Sequence, residues 1–196
     1  MKIHFIGQVI FAARLAGYLN RLVDITGITT LEAVESDDYD LSRLQIAPSR
    51  YGLDDGWIMS QNPDYIVVVG WHKILKKTTL DIAPVIGYHP SPLPKGRGCS
   101  PIIWAIADGW KETGSSFFWM DEGIDTGPII NQEIVAIKEK TAKELYMRLI
   151  RIAEDQLKDI VDDLKKGVIT KLPQDESKAT YLRKRIKGED KWIEYW

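Results

Sequence analysis

Two short segments of the sequence contain residues that together could move protons. His89 begins a loop rich in proline and glycine, directly after a predicted strand, and Asp125 lies in an acidic turn that also follows a predicted strand. In an open α/β sheet, ligands bind in the crevice beyond the carboxyl ends of the strands. A histidine there, with a carboxylate to hold its ring, suits proton transfer. The plainer alternatives are a surface histidine and a solvated acidic turn.

An alternation of strands and helices is needed to bring these two segments together. The pattern predicts strands at residues 3–6, 29–34, 65–69, 85–88, 115–120 and 129–137 (one or two strands), and helices at residues 11–22, 77–82, 101–108 and 142–167. Residues 65–69 are a continuous apolar run, which is typical of a strand covered on both faces. Ser100 is predicted to cap one helix, and Thr141 with Glu144 forms a capping box before the last one. The sequence therefore predicts an α/β domain with a single doubly wound, mainly parallel sheet flanked by helices.

Composition restricts the classes of protein to which this chain can belong and the kinds of partner that it can bind. The 26 basic and 28 acidic residues give a net charge of −2, so no basic face for nucleic acid is implied. The single cysteine, Cys99, excludes an internal disulfide and a cysteine-based zinc cluster. No signal-peptide cleavage site follows the first residues, and no stretch approaches the roughly 18 apolar residues of a membrane helix. We expect a cytoplasmic protein without a metal, a membrane partner or a nucleic-acid partner.

Three blocks of sequence carry a specific resemblance. They are Gly87–Pro94 followed by Gly96–Gly98, then Met120–Gln132, and earlier in the chain Asp64–Leu75. In wording and order they resemble the folate-dependent formyltransferases, a family that includes methionyl-tRNA, glycinamide ribonucleotide and amino-sugar N-formyltransferases. The resemblance covers roughly residues 1–170, which it implies to be the catalytic domain. Residues 171–196 are expected to form a charged, aromatic tail packed on that domain.

The resemblance implies transfer of a formyl group from N10-formyltetrahydrofolate, as co-substrate, to a primary amine. It implies that His89 handles protons and, when protonated, stabilises an oxyanion, while Asp125 holds the imidazole; both are expected in near-surface loops. The implied folate-binding residues are His72, Lys73, Ile74 and Leu75 around the pterin, and Ser91, Pro92, Leu93 and Pro94 near its formyl-bearing end. For Lys95 and Arg97, two interpretations have equal weight: they bind a phosphate of the substrate, or they are solvated charges on the loop.

One position departs from the family pattern. The family has asparagine two residues before its catalytic histidine, and this sequence has Gly87. Loss of one oxyanion donor typically lowers kcat by about 10²–10³. We expect that another donor has replaced it, with His72 as a candidate. Glycine required by the backbone or by a bulky acceptor is the alternative.

The branches of the family differ in the amine that accepts the formyl group, and sequence features distinguish them. The segment after the first strand lacks the glycine- and serine-rich phosphate loop of the glycinamide ribonucleotide enzymes, and the 196-residue chain is expected to lack the barrel domain of the methionyl-tRNA enzymes. We therefore expect the amine of a nucleotide-linked amino sugar. A formyltetrahydrofolate hydrolase and a non-catalytic folate- or nucleotide-binding module are the alternatives from other classes. The oligomeric state, with a homodimer among the options, is left open.

Overall fold

Strands and helices alternate along the chain in a computed structural model that describes residues 1–31, 46–186 and 190. The strands are β1 (Lys2–Gly7), β2 (Asp24–Thr30), β3 (Ser49–Tyr51), β4 (Tyr65–Val69), β5 (Val85–His89), β6 (Arg97–Gly98), β7 (Glu112–Trp119), β8 (Ile129–Ala136) and β9 (Tyr181–Leu182). The helices are α1 (Val9–Leu19), α2 (Asp55–Ser60), α3 (Lys77–Leu80), α4 (Pro101–Ala107) and α5 (Ala142–Lys165), with a 3₁₀ turn at Glu176–Lys178.

Seven of the strands form one sheet in the order β3-β2-β1-β4-β5-β7-β8. β3, β2, β1, β4 and β5 run parallel, whereas β7 pairs antiparallel with both β5 and β8. The predicted doubly wound, mainly parallel sheet is confirmed. β6 and β9 form a separate two-stranded pair, which joins the loop after His89 to the C-terminal segment.

The alternation of side chains along β1 divides the core between the two faces of the sheet. Ile3 and Phe5 pack on the face that α1 and α5 cover, while Ile6 packs on the face covered by Ile58 of α2. β5 follows the same rule, because Ile86 and Tyr88 join the first cluster and Val85 the second. His89 and Gly87 therefore share the α2 face of the sheet.

The longest helix, α5, begins at the predicted residue behind the predicted Thr141 cap and ends two residues before the predicted end. The Thr141 hydroxyl oxygen accepts a 3.2 Å hydrogen bond from the Glu144 backbone N–H, and Gly167 follows the helix with a φ of +76°. The Glu144 carboxylate accepts from the Lys140 N–H, one residue earlier than a reciprocal capping box requires. Within the described ranges, no helix is long and apolar enough to cross a membrane.

The second strand was predicted too late in the chain. β2 covers Asp24–Thr30, whereas the prediction was 29–34. Residues 32–34 of that prediction lie outside the described part of the chain. The observed strand includes Gly27, which lies beside the buried ring of His4. A Cβ at Gly27 would lie 2.9 Å from His4 Nδ1, so glycine makes room for a cross-strand neighbour. Ser100 was also misread: it precedes α4 with a φ of +56° and its side chain does not cap the helix.

Candidate active site

His89 is the last residue of β5 and lies deeper than the near-surface loop expected for it, being only 6% exposed. Its Nε2 atom is 2.7 Å from the carbonyl oxygen of Gly96. Because a carbonyl oxygen can only accept, this contact identifies Nε2 as the protonated nitrogen of the neutral ring. Nδ1 is then the nitrogen with a lone pair, available to take up a proton.

Asp125 faces that second nitrogen. One carboxylate oxygen, Oδ2, lies 3.5 Å from His89 Nδ1 and accepts a 2.8 Å hydrogen bond from the Gly98 N–H. Asp125 has a φ of +55°, a left-handed conformation that aspartate tolerates better than most residues. Protonation of His89 would turn the contact between two acceptors into an ion pair. The Gly96 carbonyl therefore orients the ring, and Asp125 is placed to stabilise its charged form.

The loop between His89 and Gly96 is held by side chains of the antiparallel strands. The Ser116 hydroxyl of β7 donates to the Ser91 carbonyl at 2.6 Å, and Gln132 of β8 donates to the Leu93 carbonyl at 2.9 Å. The Ser91 hydroxyl donates to the Lys95 carbonyl at 2.9 Å, closing the loop on itself. These bonds fix the backbone that carries the Gly96 carbonyl to His89.

Arg97 was weighed as a substrate residue, but its guanidinium is fully committed inside the protein. The residue is 0% exposed, and its five N–H groups donate to Gln174, Glu176 and the Tyr181 hydroxyl. The Arg97 bonds lower the pKa of the Glu176 carboxyl below its usual value. No N–H of the guanidinium remains for a phosphate, so Arg97 holds the loop in place. Lys95, the other residue considered for a substrate phosphate, is exposed.

The implied folate residues lie on two loops and differ in their exposure. β4 and β5 are neighbouring parallel strands, with Val69 opposite Tyr88, so the loop after β4 lies beside His89. In that loop His72, Lys73 and Ile74 are exposed, whereas Leu75 joins the core. On the other loop Ser91 and Leu93 are buried, and Pro92 and Pro94 are half-buried. Each of the two loops therefore places a leucine in the protein interior, and the loop after β4 exposes the three residues that precede it.

The space beside Gly87 is filled. A Cβ at this position would lie 2.8 Å from both the Phe118 ring and the Met120 side chain. Gly87 lies within β5 and does not have a positive φ, so the backbone conformation does not require the glycine. Packing by Phe118 and Met120 explains it, because no larger side chain fits here without displacing them.

Several groups that shape the site were not predicted from the sequence. The Gly96 carbonyl and the Gly98 N–H are backbone groups, which residue types do not reveal. Gln174, far along the chain, donates its side-chain N–H groups to the carbonyls of Asp125 and Gly127 at 2.9 and 2.7 Å. The Gly96-Arg97-Gly98 spacing marked the loop but not the partners that hold it.

Comparison with known proteins identifies the family. Residues 55–161 match the family described as Formyl transferase. The methionyl-tRNA formyltransferase of Thermodesulfovibrio yellowstonii is 38% identical over 144 residues, covering 70% of this chain and 46% of that protein. The enzyme of the same name from Campylobacter jejuni subsp. doylei is 42% identical over 142 residues, again covering 70% and 46%. The chain thus spans less than half the length of these relatives.

Solved structures share the fold at lower identity. An N-formyltransferase from Helicobacter canadensis, in complex with folinic acid and dTDP-3-aminofucose, superposes with a TM-score of 0.75 at 19% identity, covering 93% of this chain and 70% of that one. The phosphoribosylglycinamide formyltransferase of Bacillus halodurans gives a TM-score of 0.69 at 21% identity, covering 84% and 95%. At these identities the likeness establishes the fold.

Proposed function

The chain belongs to the formyl transferase family, and on that premise we propose that it transfers a formyl group from N10-formyltetrahydrofolate to a primary amine. The observation that carries the proposal is the pair formed by His89 Nδ1 and Asp125 Oδ2, 3.5 Å apart beyond the carboxyl end of β5. Amide exchange between two nitrogens needs a group that takes a proton from one and returns it to the other.

The proton balance assigns a role to each residue of the pair. In the donor the formyl carbon is bonded to N10. A new bond forms between this carbon and the acceptor nitrogen, and the bond from the carbon to N10 breaks; the acceptor nitrogen loses one proton and N10 gains one. His89 Nδ1 takes up the first proton and releases it towards N10. Between the two steps, Asp125 stabilises the imidazolium and Gly96 holds its opposite N–H. We propose proton transfer as the role of His89, because the lone pair of Nδ1 can take up a proton whose charge the Asp125 carboxylate then stabilises.

The folate would bind between the loop after β4 and the loop after β5. Backbone groups of the exposed residues His72–Ile74 would meet the polar edge of the pterin, and Leu75 and Leu93 are the buried apolar residues of the two loops. Pro92 and Pro94 would border the formyl-bearing end. These positions come from the resemblance of two sequence blocks and from the adjacency of the two strands.

For the acceptor we propose the amine of a nucleotide-linked amino sugar. The net charge of −2 supports a small acceptor over one recognised mainly through a phosphate backbone. The fold likeness to the Helicobacter canadensis protein, whose complex contains dTDP-3-aminofucose, agrees with this proposal. The 38–42% identity to methionyl-tRNA formyltransferases favours methionyl-tRNA as the second candidate.

The test is incubation of the protein with N10-formyltetrahydrofolate and one acceptor at a time: a panel of dTDP- and UDP-linked amino sugars, methionyl-tRNA, or glycinamide ribonucleotide. We expect release of tetrahydrofolate only when an amino sugar is present, with the formylated sugar identified by its mass. Formylation of methionyl-tRNA instead would overturn the acceptor. Release without any amine would indicate a hydrolase, and tight folate binding without release would indicate a binding module.

Two substitutions test the catalytic pair. His89→Asn removes the proton carrier, and Asp125→Asn removes the carboxylate while retaining an oxygen for the Gly98 N–H. We expect each to lower kcat by about 10²-fold or more. Asp162→Asn on α5, whose partner is Lys158 on the surface of the same helix, is the matched control and should leave kcat unchanged. A variant that retains wild-type turnover would show that its residue has no catalytic role.

A further inference from the structure

We infer that Gln174 is a positioning residue for the His89–Asp125 pair, connecting the two loops that hold the pair in place. The inference rests on the function proposed above. Gln174 lies beyond residues 55–161, the part of the chain that matches the family, and contacts neither His89 nor the Asp125 carboxylate. It would act through the backbone of both loops.

Every hydrogen-bonding group of the Gln174 amide is used in this connection. The oxygen accepts from Arg97 Nη2 at 2.8 Å and Nε at 3.2 Å. The nitrogen donates to the carbonyl oxygens of Asp125 at 2.9 Å and Gly127 at 2.7 Å. Because a guanidinium only donates and a carbonyl only accepts, the amide has just one orientation that satisfies all four bonds. A glutamine is therefore required by the chemistry of its neighbours.

Arg97 stands between the two backbone groups that set the geometry of the pair. The preceding residue, Gly96, accepts from His89 Nε2, and the following residue, Gly98, donates to the Asp125 carboxylate. Gln174 is thus hydrogen-bonded to the Gly96–Gly98 segment through the Arg97 side chain. It is hydrogen-bonded to the Asp125 loop through the backbone carbonyl of Asp125, a residue in the left-handed conformation.

The segment that carries Gln174 is itself tied to the same loop. Thr180 accepts from the Arg97 N–H through its carbonyl at 2.9 Å and from the Gly96 N–H through its hydroxyl at 2.8 Å. The Leu182 carbonyl accepts from the Cys99 N–H at 3.3 Å, and the Leu172 backbone pairs with Ile129 just after the Asp125 turn. Both ends of the segment are therefore fixed, which lets Gln174 hold one loop relative to the other.

Two substitutions at Gln174 separate its two contacts. Gln174→Glu keeps an oxygen for Arg97 but presents the other oxygen, which has no proton, to two carbonyls. Gln174→Met has a similar length and forms neither set of bonds. We expect both variants to lower kcat by about 10-fold to 10²-fold, because small misplacements of catalytic groups have large effects on rate. The KM for N10-formyltetrahydrofolate should stay within about threefold. The pair that Gln174 positions acts in the chemical step, and weakening such a step lowers kcat rather than folate binding.

Hydrogen exchange supplies a readout that does not depend on the reaction. In both variants we expect exchange of the Gly98 N–H to accelerate by about 10-fold or more, as its bond to Asp125 is loosened. The matched control is Lys178→Gln in the same segment, since Lys178 is exposed and its ion pair is with Asp175. It should change neither kcat nor Gly98 exchange.

The outcomes distinguish this inference from the proposed function. Unchanged Gly98 exchange, or wild-type kcat in Gln174→Glu, would overturn the positioning role. Accelerated exchange in a protein whose wild type does not transfer formyl would support the connection while refuting the proposed function. If Gln174→Met fails to fold, Gln174→Glu, which keeps the Arg97 contact, carries the test. A loss of kcat without any change in exchange would also count against the inference.

Discussion

Replacing Gly87 by asparagine tests whether the space beside this residue, two positions before His89, can hold a hydrogen-bond donor. The Cβ of the new side chain would lie 2.8 Å from both Phe118 and Met120, and its amide would extend further towards them. Overpacking of a core costs about 1–3 kcal/mol. A buried amide without partners adds about 1–3 kcal/mol. We therefore expect a loss of roughly 2–6 kcal/mol in the free energy of unfolding.

For a chain of 196 residues, this loss corresponds to a fall in Tm of roughly 4–24 °C. Thermal unfolding followed by circular dichroism measures it, and kcat is determined on the folded protein at a lower temperature. Gly17→Asn in α1 is the matched control, because a Cβ there meets nothing within 4 Å, and it should leave Tm nearly unchanged. Adding Phe118→Ala to Gly87→Asn removes the ring and tests whether the amide can then raise kcat.

The packing explanation would be refuted by a Gly87→Asn variant that melts within about 2 °C of the wild type, a shift of less than roughly 1 kcal/mol for a protein of this size. A rise in kcat in the single variant would also refute it. That result would mean the amide finds room as an oxyanion donor despite Phe118 and Met120. The sequence alone had favoured a different explanation, in which another side chain had replaced the donor.

Two further predictions concern buried polar groups away from His89 and Asp125. Burial lowers the pKa of His4 to about 4, so the folded state binds a proton less readily than the unfolded state, and stability should fall as the pH drops from 6.5 towards 4. In urea titrations the His4 contribution should be a loss of about 2 kcal/mol at pH 5, absent from a His4→Phe, Thr29→Val double variant; equal pH dependence in both proteins would contradict it. Gln156 bridges Ser115 and Asn131 beneath the sheet, so Gln156→Leu should lower the free energy of unfolding by about 1–3 kcal/mol. Unchanged stability in urea would show that the bridge contributes nothing.

The hydrophobic pattern was sufficient to predict a strand or helix where the surroundings of the segment are uniform along its length. β4 is apolar throughout and covered on both faces, so its predicted bounds, 65–69, agree with the structure. α5 has an amphipathic pattern and a local cap at Thr141, and it too was predicted. β2 was predicted too late in the chain, and its residue Gly27 makes room for His4 on another strand. A residue that makes room for a distant neighbour cannot be recognised as such from its own segment alone.

The sequence by itself determined the fold class, the family resemblance and the two residues expected to carry the chemistry, since each depends on local patterns or on motif wording. The tertiary structure decided how those residues are held. Arg97 could be a phosphate ligand or a solvated charge from its loop alone; its partners lie 77 to 84 residues away, and they bury it. The orientation of His89 likewise depends on the Gly96 carbonyl, and every residue has such a carbonyl. Only folding determines which backbone group meets which side chain, because that contact depends on the path of the chain rather than on residue type.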